Sequence, residues 1–201
     1  MMEWTAFEDQ ARTEGHTCIC GIDEAGRGPL AGPVYAAAVV LRPGQVIEGV
    51  NDSKKLSEKK REALFDTICS QCAAYGIGSA TEKEIDEINI LNATYLAMQR
   101  AVAALPVQPD CALVDGNRAP DLPLEVRTII KGDAQSASIA AASILAKVSR
   151  DRYMLQMAEK YPQYAFEKHK GYGTKLHYER LEQYGISPIH RLSFLKKWMN
   201  R

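Results

Sequence analysis

An apolar stretch near the N-terminus, residues 18–22, ends abruptly in two adjacent carboxylates, Asp23 and Glu24, within the sequence CICGIDEAGRG. The apolar run is typical of a buried β-strand. Carboxylates that are buried without partners at the end of such a strand repel each other and lose hydration, which costs several kcal/mol. The strand must therefore end at an edge of a sheet where something compensates two negative charges.

The rest of the chain alternates between strand-like and helix-like patterns. Four further strands are predicted around the runs YAAAVVL, AAYGIGSAT, CALVD and LEVRTII. Amphipathic spacing predicts helices that begin after Ser57, near residue 84 and at Ala134. The first half of the third helix is rich in Ala and Ser, which are small enough to let it lie close to a sheet. The order is β-β-α-β-α-β-β-α, with helix-like pieces near 174–184 and 191–199, and the first three strands are expected to form a meander.

This order predicts an α/β fold in a single domain over 1–201, with a core at about 17–165 and a basic C-terminal helical segment at about 166–201. No internal repeat or linker divides the chain. Hydrophobic residues make up 46% and charged residues 25% of the sequence, values that exclude a disordered or fibrous protein.

No apolar run approaches the length of a membrane span, and the first residues lack the pattern of a secretory signal, so a cytoplasmic location is expected. Five cysteines without an export signal favour reduced thiols. The CxC at 18–20 and the CxxC at 69–72 leave a four-cysteine zinc site as an alternative, which is less common than cysteines packed as small apolar residues.

Positive charge is concentrated at the C-terminal end, although the formal net charge is zero. From 167 to 201, eight lysines and arginines face three glutamates. The stretch KHKGYGTKLH interleaves Lys170 and Lys175 with Tyr172, which offers cations for phosphates and a ring for stacking. This pattern favours a nucleic-acid groove, and the alternative is a solvated loop whose tyrosine packs into the core.

Acidic residues follow three of the predicted strands: Asp23 with Glu24, then Asp115, then Asp133. In open α/β sheets, ligands gather at the ends of strands. Taken singly, Asp115 is typical of a turn and Asp133 of a helix N-cap, but these readings do not explain the acid pair. Four converging carboxylates would hold two Mg²⁺ or Mn²⁺ ions about 3.5–4 Å apart, which activate a water for phosphoryl transfer.

The GRG sequence at 26–28 directly follows these acids. Glycines let the main chain approach a ligand closely, and Arg27 supplies a planar fork for phosphate. A Walker-type acid pair is excluded because no GxxxxGK[ST] loop precedes it, and a serine or cysteine hydrolase is excluded because no nucleophile elbow is present. The residues alone therefore indicate two-metal phosphoryl transfer on a nucleic acid.

In this order, the motifs GIDEAGRGPLAGPV, NDSKKLS, LVDG, KGD, SIAAASILAKV and HKGYGTKLH closely resemble those of bacterial ribonuclease HII, from about Cys18 to about Phe194. The resemblance implies a ribonuclease H-like fold, with a mixed five-stranded sheet between helices. It also implies a metal-dependent endonuclease that cuts RNA in RNA–DNA hybrids and on the 5′ side of a ribonucleotide embedded in duplex DNA.

The resemblance also assigns roles to individual residues. The catalytic and metal-binding acids are Asp23, Glu24, Asp115 and Asp133. The main chain of Gly26, Arg27 and Gly28 is expected to read the ribose 2′-hydroxyl, and Tyr172 to stack on the next sugar. Ser53 and Lys54 are expected to grip backbone phosphate, with Lys170 and Lys175 as helpers. A monomer is expected, and a sliding clamp is a conceivable partner that the sequence does not reveal.

Two other functions remain open from the sequence. Another nuclease of the same fold, such as a junction resolvase, would share the acids without needing the GRG or KGYGT stretches. A nucleic-acid-binding module without catalysis would use the acids only as turns and caps. Cleavage at a single embedded ribonucleotide, and its dependence on a divalent metal, separate these functions.

Overall fold

One mixed sheet with helices on both faces forms the centre of the computed structural model, which describes residues 4–200. The strands are β1 (Ile19–Ala25), β2 (Val34–Val40), β3 (Ala74–Ala80), β4 (Cys111–Asp115) and β5 (Glu125–Ile129). The helices are α1 (Ala6–Thr13), α2 (Glu58–Gln71), α3 (Glu82–Ala103), α4 (Ala137–Lys160), α5 (Phe166–His169), α6 (Lys175–Tyr184) and α7 (Leu192–Met199). Short 3₁₀ turns span Ser53–Lys55, Gly132–Ala134 and Pro162–Tyr164.

The sheet has the order β3-β2-β1-β4-β5. Strands β1, β2 and β3 pair antiparallel as a meander, whereas β4 and β5 run parallel to β1. The predicted α/β class and mixed five-stranded sheet are therefore confirmed. Parallel pairing places the carboxyl ends of β1, β4 and β5 at one edge of the sheet, and the acids follow at that edge.

Helix α4 packs closely on β1 because both elements are built from small residues where they meet. Its first turns carry Ala137, Ala140 and Ala141, all buried. A methyl group on Gly21 of β1 would lie far inside van der Waals contact of main-chain atoms of Ser138 and Ile139. The missing side chain at position 21 thus permits this approach, as the Ala/Ser-rich sequence of the helix predicts.

Two helices differ from the sequence-based prediction. Helix α1 was not predicted, and its buried Glu8 accepts hydrogen bonds from the hydroxyls of Ser136 and Ser138, at 2.6 Å each. Helix α4 begins at Ala137 rather than Ala134, because Ser136 is its N-cap and accepts from the N–H of Ile139. Asp133 lies in the preceding 3₁₀ turn and is not the cap.

The cysteine motifs pack into two separate apolar clusters. Cys18 and Cys20 belong to the cluster on the α3 face of the sheet, and Cys69 and Cys72 to the cluster on the opposite face. Burial raises the pKa of the Cys20 thiol to about 12. This arrangement does not support the four-cysteine zinc alternative. Among residues 4–200, no helix combines the length and the apolar character that crossing a bilayer would require.

A chain of buried histidines organises the C-terminal segment. The Nδ1 of His177 lies 2.9 Å from the carbonyl of Tyr172, and its Nε2 lies 2.9 Å from Nε2 of His190. The Nδ1 of His190 accepts from the N–H of Ser187 at 2.9 Å. These partners fix one neutral tautomer for each ring: His190 donates to His177, and His177 donates to Tyr172. A second proton on either ring would therefore oppose an existing hydrogen bond.

This geometry predicts a loss of stability in acid. Burial lowers the pKa of both His177 and His190 from 6.5 to about 4. Because the unfolded chain then binds more protons than the folded protein between pH 6.5 and 4, the histidines' contribution to stability falls as the pH drops through that window. The free energy of unfolding should decrease across this window by up to about 3 kcal/mol for each histidine, since one pKa unit corresponds to about 1.4 kcal/mol.

Urea unfolding of the wild type and His190→Gln at pH 7 and pH 4.5 measures this effect. Buried carboxylates titrate in both proteins, so their contribution cancels in the difference between the two. That difference is expected to shrink at pH 4.5. A difference that stays constant with pH would show that His190 is not held neutral.

Candidate active site

Three acids from distant parts of the chain meet at the carboxyl edge of the sheet. Ile22 of β1 pairs with Val114 of β4, so the next residues, Asp23 and Asp115, lie on adjacent strands. After β5, the 3₁₀ turn brings Asp133 back to the same edge. One carboxylate oxygen from each of Asp23, Asp115 and Asp133 lies within 4.8 Å of the others.

These carboxylates are in an unfavourable electrostatic environment. Asp23 and Asp133 are buried, with 5% and 4% of their surface exposed. Burial, followed by the nearby charges of Glu24 and Asp115, raises the pKa of Asp23 well above its ordinary value. Burial and the charge of Asp133 also raise the pKa of Asp115. The fold therefore concentrates negative charge where it is poorly hydrated, and this arrangement favours a cation.

Protein groups compensate part of that charge. The N–H of Gly132 donates to Oδ1 of Asp115 at 2.6 Å, and the ammonium of Lys54 lies 3.1 Å from Oδ2 of Asp133. Lys54 is one of the two residues, with Ser53, that were predicted to bind backbone phosphate. Its side chain is largely exposed. It can therefore face both the acids and a bound anion.

The fourth predicted acid, Glu24, lies beside the group of three rather than within it. Its Oε1 is 3.3 Å from the guanidinium of Arg27. Burial raises the pKa of Glu24, and the positive charge of Arg27 opposes that rise. Glu24 and Asp115 line both cavities at this edge, of about 260 and 320 Å³. Glu24 thus reaches the site from the side of the GRG loop.

Most of the predicted site residues line the 260 Å³ cavity. Its walls include Asp23, Glu24, Gly26, Arg27, Gly28, Ser53, Lys54, Asp115 and Tyr172. Tyr172 is 43% exposed, and its ring lies near Gly28 across the cavity. A loop that exposes main chain, an aromatic ring and a group of acids therefore surround one space.

The structure does not bring Lys170 and Lys175 into this cavity. The ammonium of Lys170 donates to the carbonyl of Glu167 at 2.7 Å and lies 3.5 Å from the carboxylate of Glu58. The side chain of Lys175 is 92% exposed and faces Glu179. Their role as helpers in substrate binding stays a prediction, and any contact would lie outside this space.

Sequence reasoning missed three polar residues of the cavity wall, Arg61, Ser143 and Lys147. The hydroxyl of Ser143 donates to that of Ser53 at 2.6 Å, and Arg61 donates to the carbonyl of Ser53 at 2.9 Å. Ser143 and Lys147 are four residues apart on α4, so they share one face of the helix. The four-residue spacing of two polar residues could have indicated a polar face on this helix. The many alanines around them instead favoured a fully buried helix.

The donor atoms of the acid cluster suit a hard divalent cation. Asp23, Asp115 and Asp133 offer only carboxylate oxygens, which Mg²⁺ and Mn²⁺ prefer, and no histidine or cysteine belongs to the group. The burial of two of these acids also gives a bound ion a poorly hydrated, strongly negative environment. The residues present therefore fit such an ion.

A second group of metal-type side chains lies at the opposite edge of the sheet, where β4 and β5 begin. It consists of His16, Cys111 and Glu125. Glu125 is already paired with Arg127 at 2.6 Å, and burial raises the pKa of Cys111. The guanidinium of Arg127 thus already supplies the positive charge at this second group. The cluster is therefore explained as an ion-pair network.

Known proteins of one family resemble this chain in both sequence and fold. The family model of ribonuclease HII matches residues 20–197. Ribonuclease HII from Caldicellulosiruptor bescii is 59% identical over 190 residues, which cover 94% of this chain and 92% of the relative. The crystal structure of ribonuclease H2 from Pyrococcus horikoshii OT3 superposes with a TM-score of 0.73 at 30% identity, and the match covers 88% of this chain and 93% of that one.

A complex of PCNA with RNase HII from Archaeoglobus fulgidus gives a TM-score of 0.68 at 28% identity, over 88% of this chain and 94% of that one. The family match thus includes every strand of the sheet except the first residue of β1. It also includes all four acids at the carboxyl edge. The chain therefore belongs to the ribonuclease HII family and is an endonuclease of the ribonuclease H type.

Proposed function

We propose that this protein hydrolyses the RNA strand of RNA–DNA hybrids and cuts on the 5′ side of ribonucleotides embedded in duplex DNA, leaving 3′-hydroxyl and 5′-phosphate ends. Its role would be the removal of misincorporated ribonucleotides and RNA primers. The observation that supports this most strongly is the meeting of Asp23, Asp115 and Asp133 within 4.8 Å, in a site that also includes the GRG loop and Tyr172.

The acids would hold two divalent ions, Mg²⁺ or Mn²⁺, through Asp23, Asp115 and Asp133, with Glu24 at the side of the cluster. When bound, such ions activate an attacking water and stabilise the leaving oxygen of a phosphodiester. The protein's own contribution is to keep these carboxylates close and poorly hydrated. The N–H of Gly132 holds Asp115 in place, and Arg27 holds Glu24.

The GRG loop and Tyr172 would select the substrate. Gly28 leaves the main chain of the loop open toward the cavity, whereas a side chain at Gly26 would collide with that of Arg150. A main-chain group that reaches a 2′-hydroxyl can distinguish ribose from deoxyribose. Tyr172 presents an exposed ring across the cavity from Gly28, and this ring would stack on the adjacent deoxyribose. Ser53 and Lys54, on the 3₁₀ turn at the cavity wall, would bind the backbone phosphate.

We further propose that the chain forms one domain and acts as a monomer in the cytoplasm. A sliding clamp as partner rests on the Archaeoglobus complex alone, which was solved with PCNA. No surface of residues 4–200 is assigned to that contact.

The proposed cleavage is tested with a labelled DNA duplex that contains one ribonucleotide, incubated with Mg²⁺, Mn²⁺ or EDTA. One cut on the 5′ side of the ribonucleotide is expected with either metal, and none with EDTA. A matched all-DNA duplex should remain intact. Cleavage of all-DNA junctions without cleavage at the ribonucleotide would favour a different nuclease of this fold, and cleavage in EDTA would contradict the metal dependence.

A further inference from the structure

Arg191 is fully buried, and within residues 4–200 the hydrogen bonds of its guanidinium go to main-chain oxygens rather than to a carboxylate. Its guanidinium instead donates to three main-chain carbonyls: Gly26 at 2.6 Å, Arg27 at 3.0 Å and Gly32 at 2.8 Å. All three carbonyls belong to the loop that connects β1 to β2 and contains the GRG sequence. The side chain of Arg191 therefore holds the GRG loop through three hydrogen bonds.

The direction of these carbonyls determines the direction of the neighbouring N–H groups. A trans peptide unit is planar, and its C=O and the following N–H point in opposite directions. Because the carbonyls of Gly26 and Arg27 point at Arg191, the N–H groups of Arg27 and Gly28 point away from it. Neither N–H donates a hydrogen bond to any described residue. Two main-chain donors without a partner among residues 4–200 therefore lie on the side of the loop opposite to Arg191, and the cavity is lined by Gly26, Arg27 and Gly28 of this loop.

The C-terminal segment is attached to the same loop through its main chain. His190 forms a bridge with Ala31, and the N–H of Arg191 donates to the carbonyl of Leu30 at 2.9 Å. A second buried arginine, Arg150, donates to the carbonyls of Ala31 and Lys170 at 3.1 and 2.9 Å. The loop, the Tyr172 segment and the residues around 190 are therefore held as one unit.

Stability alone does not readily explain a charged side chain at this position. Burial, and then the charge of Arg150, lower the pKa of Arg191 to about 9, so the fold holds the cation in an unfavourable environment. Replacing buried ionic groups by apolar ones is often neutral or stabilising. A guanidinium nevertheless has a property that apolar side chains lack, because its rigid fork orients several acceptors at once.

We propose that Arg191 is a positioning residue for ribonucleotide selectivity: by holding the carbonyls of Gly26 and Arg27, it directs the N–H groups of Arg27 and Gly28 toward the 2′-hydroxyl of the substrate. This inference rests on the proposed function, because it assumes that the GRG loop reads the sugar. It assigns the selectivity in part to a side chain that does not touch the substrate.

The test compares Arg191→Lys with Ile19→Val. Lysine keeps the charge but cannot orient three carbonyls at once. Ile19 is a buried residue at the start of β1, and its apolar cluster includes no residue of the β1–β2 loop or of the cavity wall. Dissociation constants are measured with Ca²⁺ for a duplex with one ribonucleotide and for the same duplex in all-DNA form, after a gel confirms that neither is cut. The reported quantity is the ratio of the two constants.

Arg191→Lys is expected to lower the preference for the ribonucleotide duplex about tenfold, the effect of one lost, well-directed hydrogen bond. Ile19→Val should lower the melting temperature but keep the wild-type ratio. A purely structural role would move the ratio equally in both variants, or in neither, and either result would overturn the proposal. A wild type without any preference would instead contradict the proposed function itself.

A measurement on the wild type covers the case in which Arg191→Lys does not fold. In NMR spectra, the guanidinium protons of Arg191 should be resolved and protected from solvent exchange. The N–H signals of Arg27 and Gly28 should shift when the ribonucleotide duplex binds, and much less with the all-DNA duplex. Freely exchanging guanidinium protons, or equal shifts with both duplexes, would refute the proposed positioning.

Discussion

Asp23→Asn is expected to reduce Mg²⁺-dependent cleavage at least about a thousandfold and, in the same protein, to raise its stability without metal. The activity falls because the amide removes a charge from the centre of the acid cluster. The stability rises because Asp23 is buried beside Glu24 and Asp115, so neutralising it relieves repulsion and desolvation that burial imposes. About 2 kcal/mol of added stability is expected in EDTA.

Two assays on one preparation check this prediction: cleavage rate with Mg²⁺, and the free energy of unfolding in urea with EDTA. Asp66→Asn is the matched control, because that carboxylate is 82% exposed on α2, remote from the cluster. The control should change neither quantity appreciably. If Asp23→Asn kept wild-type turnover, Asp23 would not belong to the metal site. If it destabilised the metal-free protein, the acids would not repel one another as the structure indicates.

Gly21→Ala is expected to destabilise the protein by about 3 kcal/mol or more, since overpacking against rigid main chain cannot be relieved by a side-chain rotation. The added methyl group would collide with the main chain of Ser138 and Ile139 in the first turns of α4. Helix α4 would have to move away from β1. This movement would also displace Ser143 and Lys147, which line the cavity from the same helix.

Gly28→Ala provides the comparison, because the same methyl group at position 28 would make only an ordinary contact, 3.7 Å from the ring of Tyr172. The two variants differ in the space available and not in the chemistry of the change. Urea midpoints should fall strongly for Gly21→Ala and stay near the wild-type value for Gly28→Ala. Equal midpoints would show that α4 is not packed on β1 as closely as the structure indicates.

The sequence allowed the fold class and the edge that carries the acids to be predicted, because local patterns encode both. Strand periodicity locates the ends of β1 and β4, and parallel pairing then brings Asp23 and Asp115 together. The Ala/Ser composition of α4 likewise predicted its close approach to the sheet. The assignment of the chemistry to ribonucleotides depended on resemblance, since charge and spacing do not specify a sugar.

Features that depend on long-range contacts were not predictable in this way. Helix α1 is held by Glu8, whose partners lie beyond residue 130 of the chain. Asp133 has the residue type of an N-cap, but Ser136 occupies that position because a 3₁₀ turn intervenes. The sequence also gave no indication that Arg191 binds the GRG loop, since a lone arginine in a basic tail is typical of a solvated residue.

The metal site itself can be examined directly by soaking crystals of the wild-type protein in Mn²⁺ and recording anomalous diffraction. Manganese peaks are expected within coordination distance of the carboxylate oxygens of Asp23, Asp115 and Asp133, and they should be lost in crystals of Asp23→Asn. Saturating Mn²⁺ that leaves this edge of the sheet without a peak, or binds only elsewhere on the protein, would contradict the assignment of these acids to the catalytic metal centre.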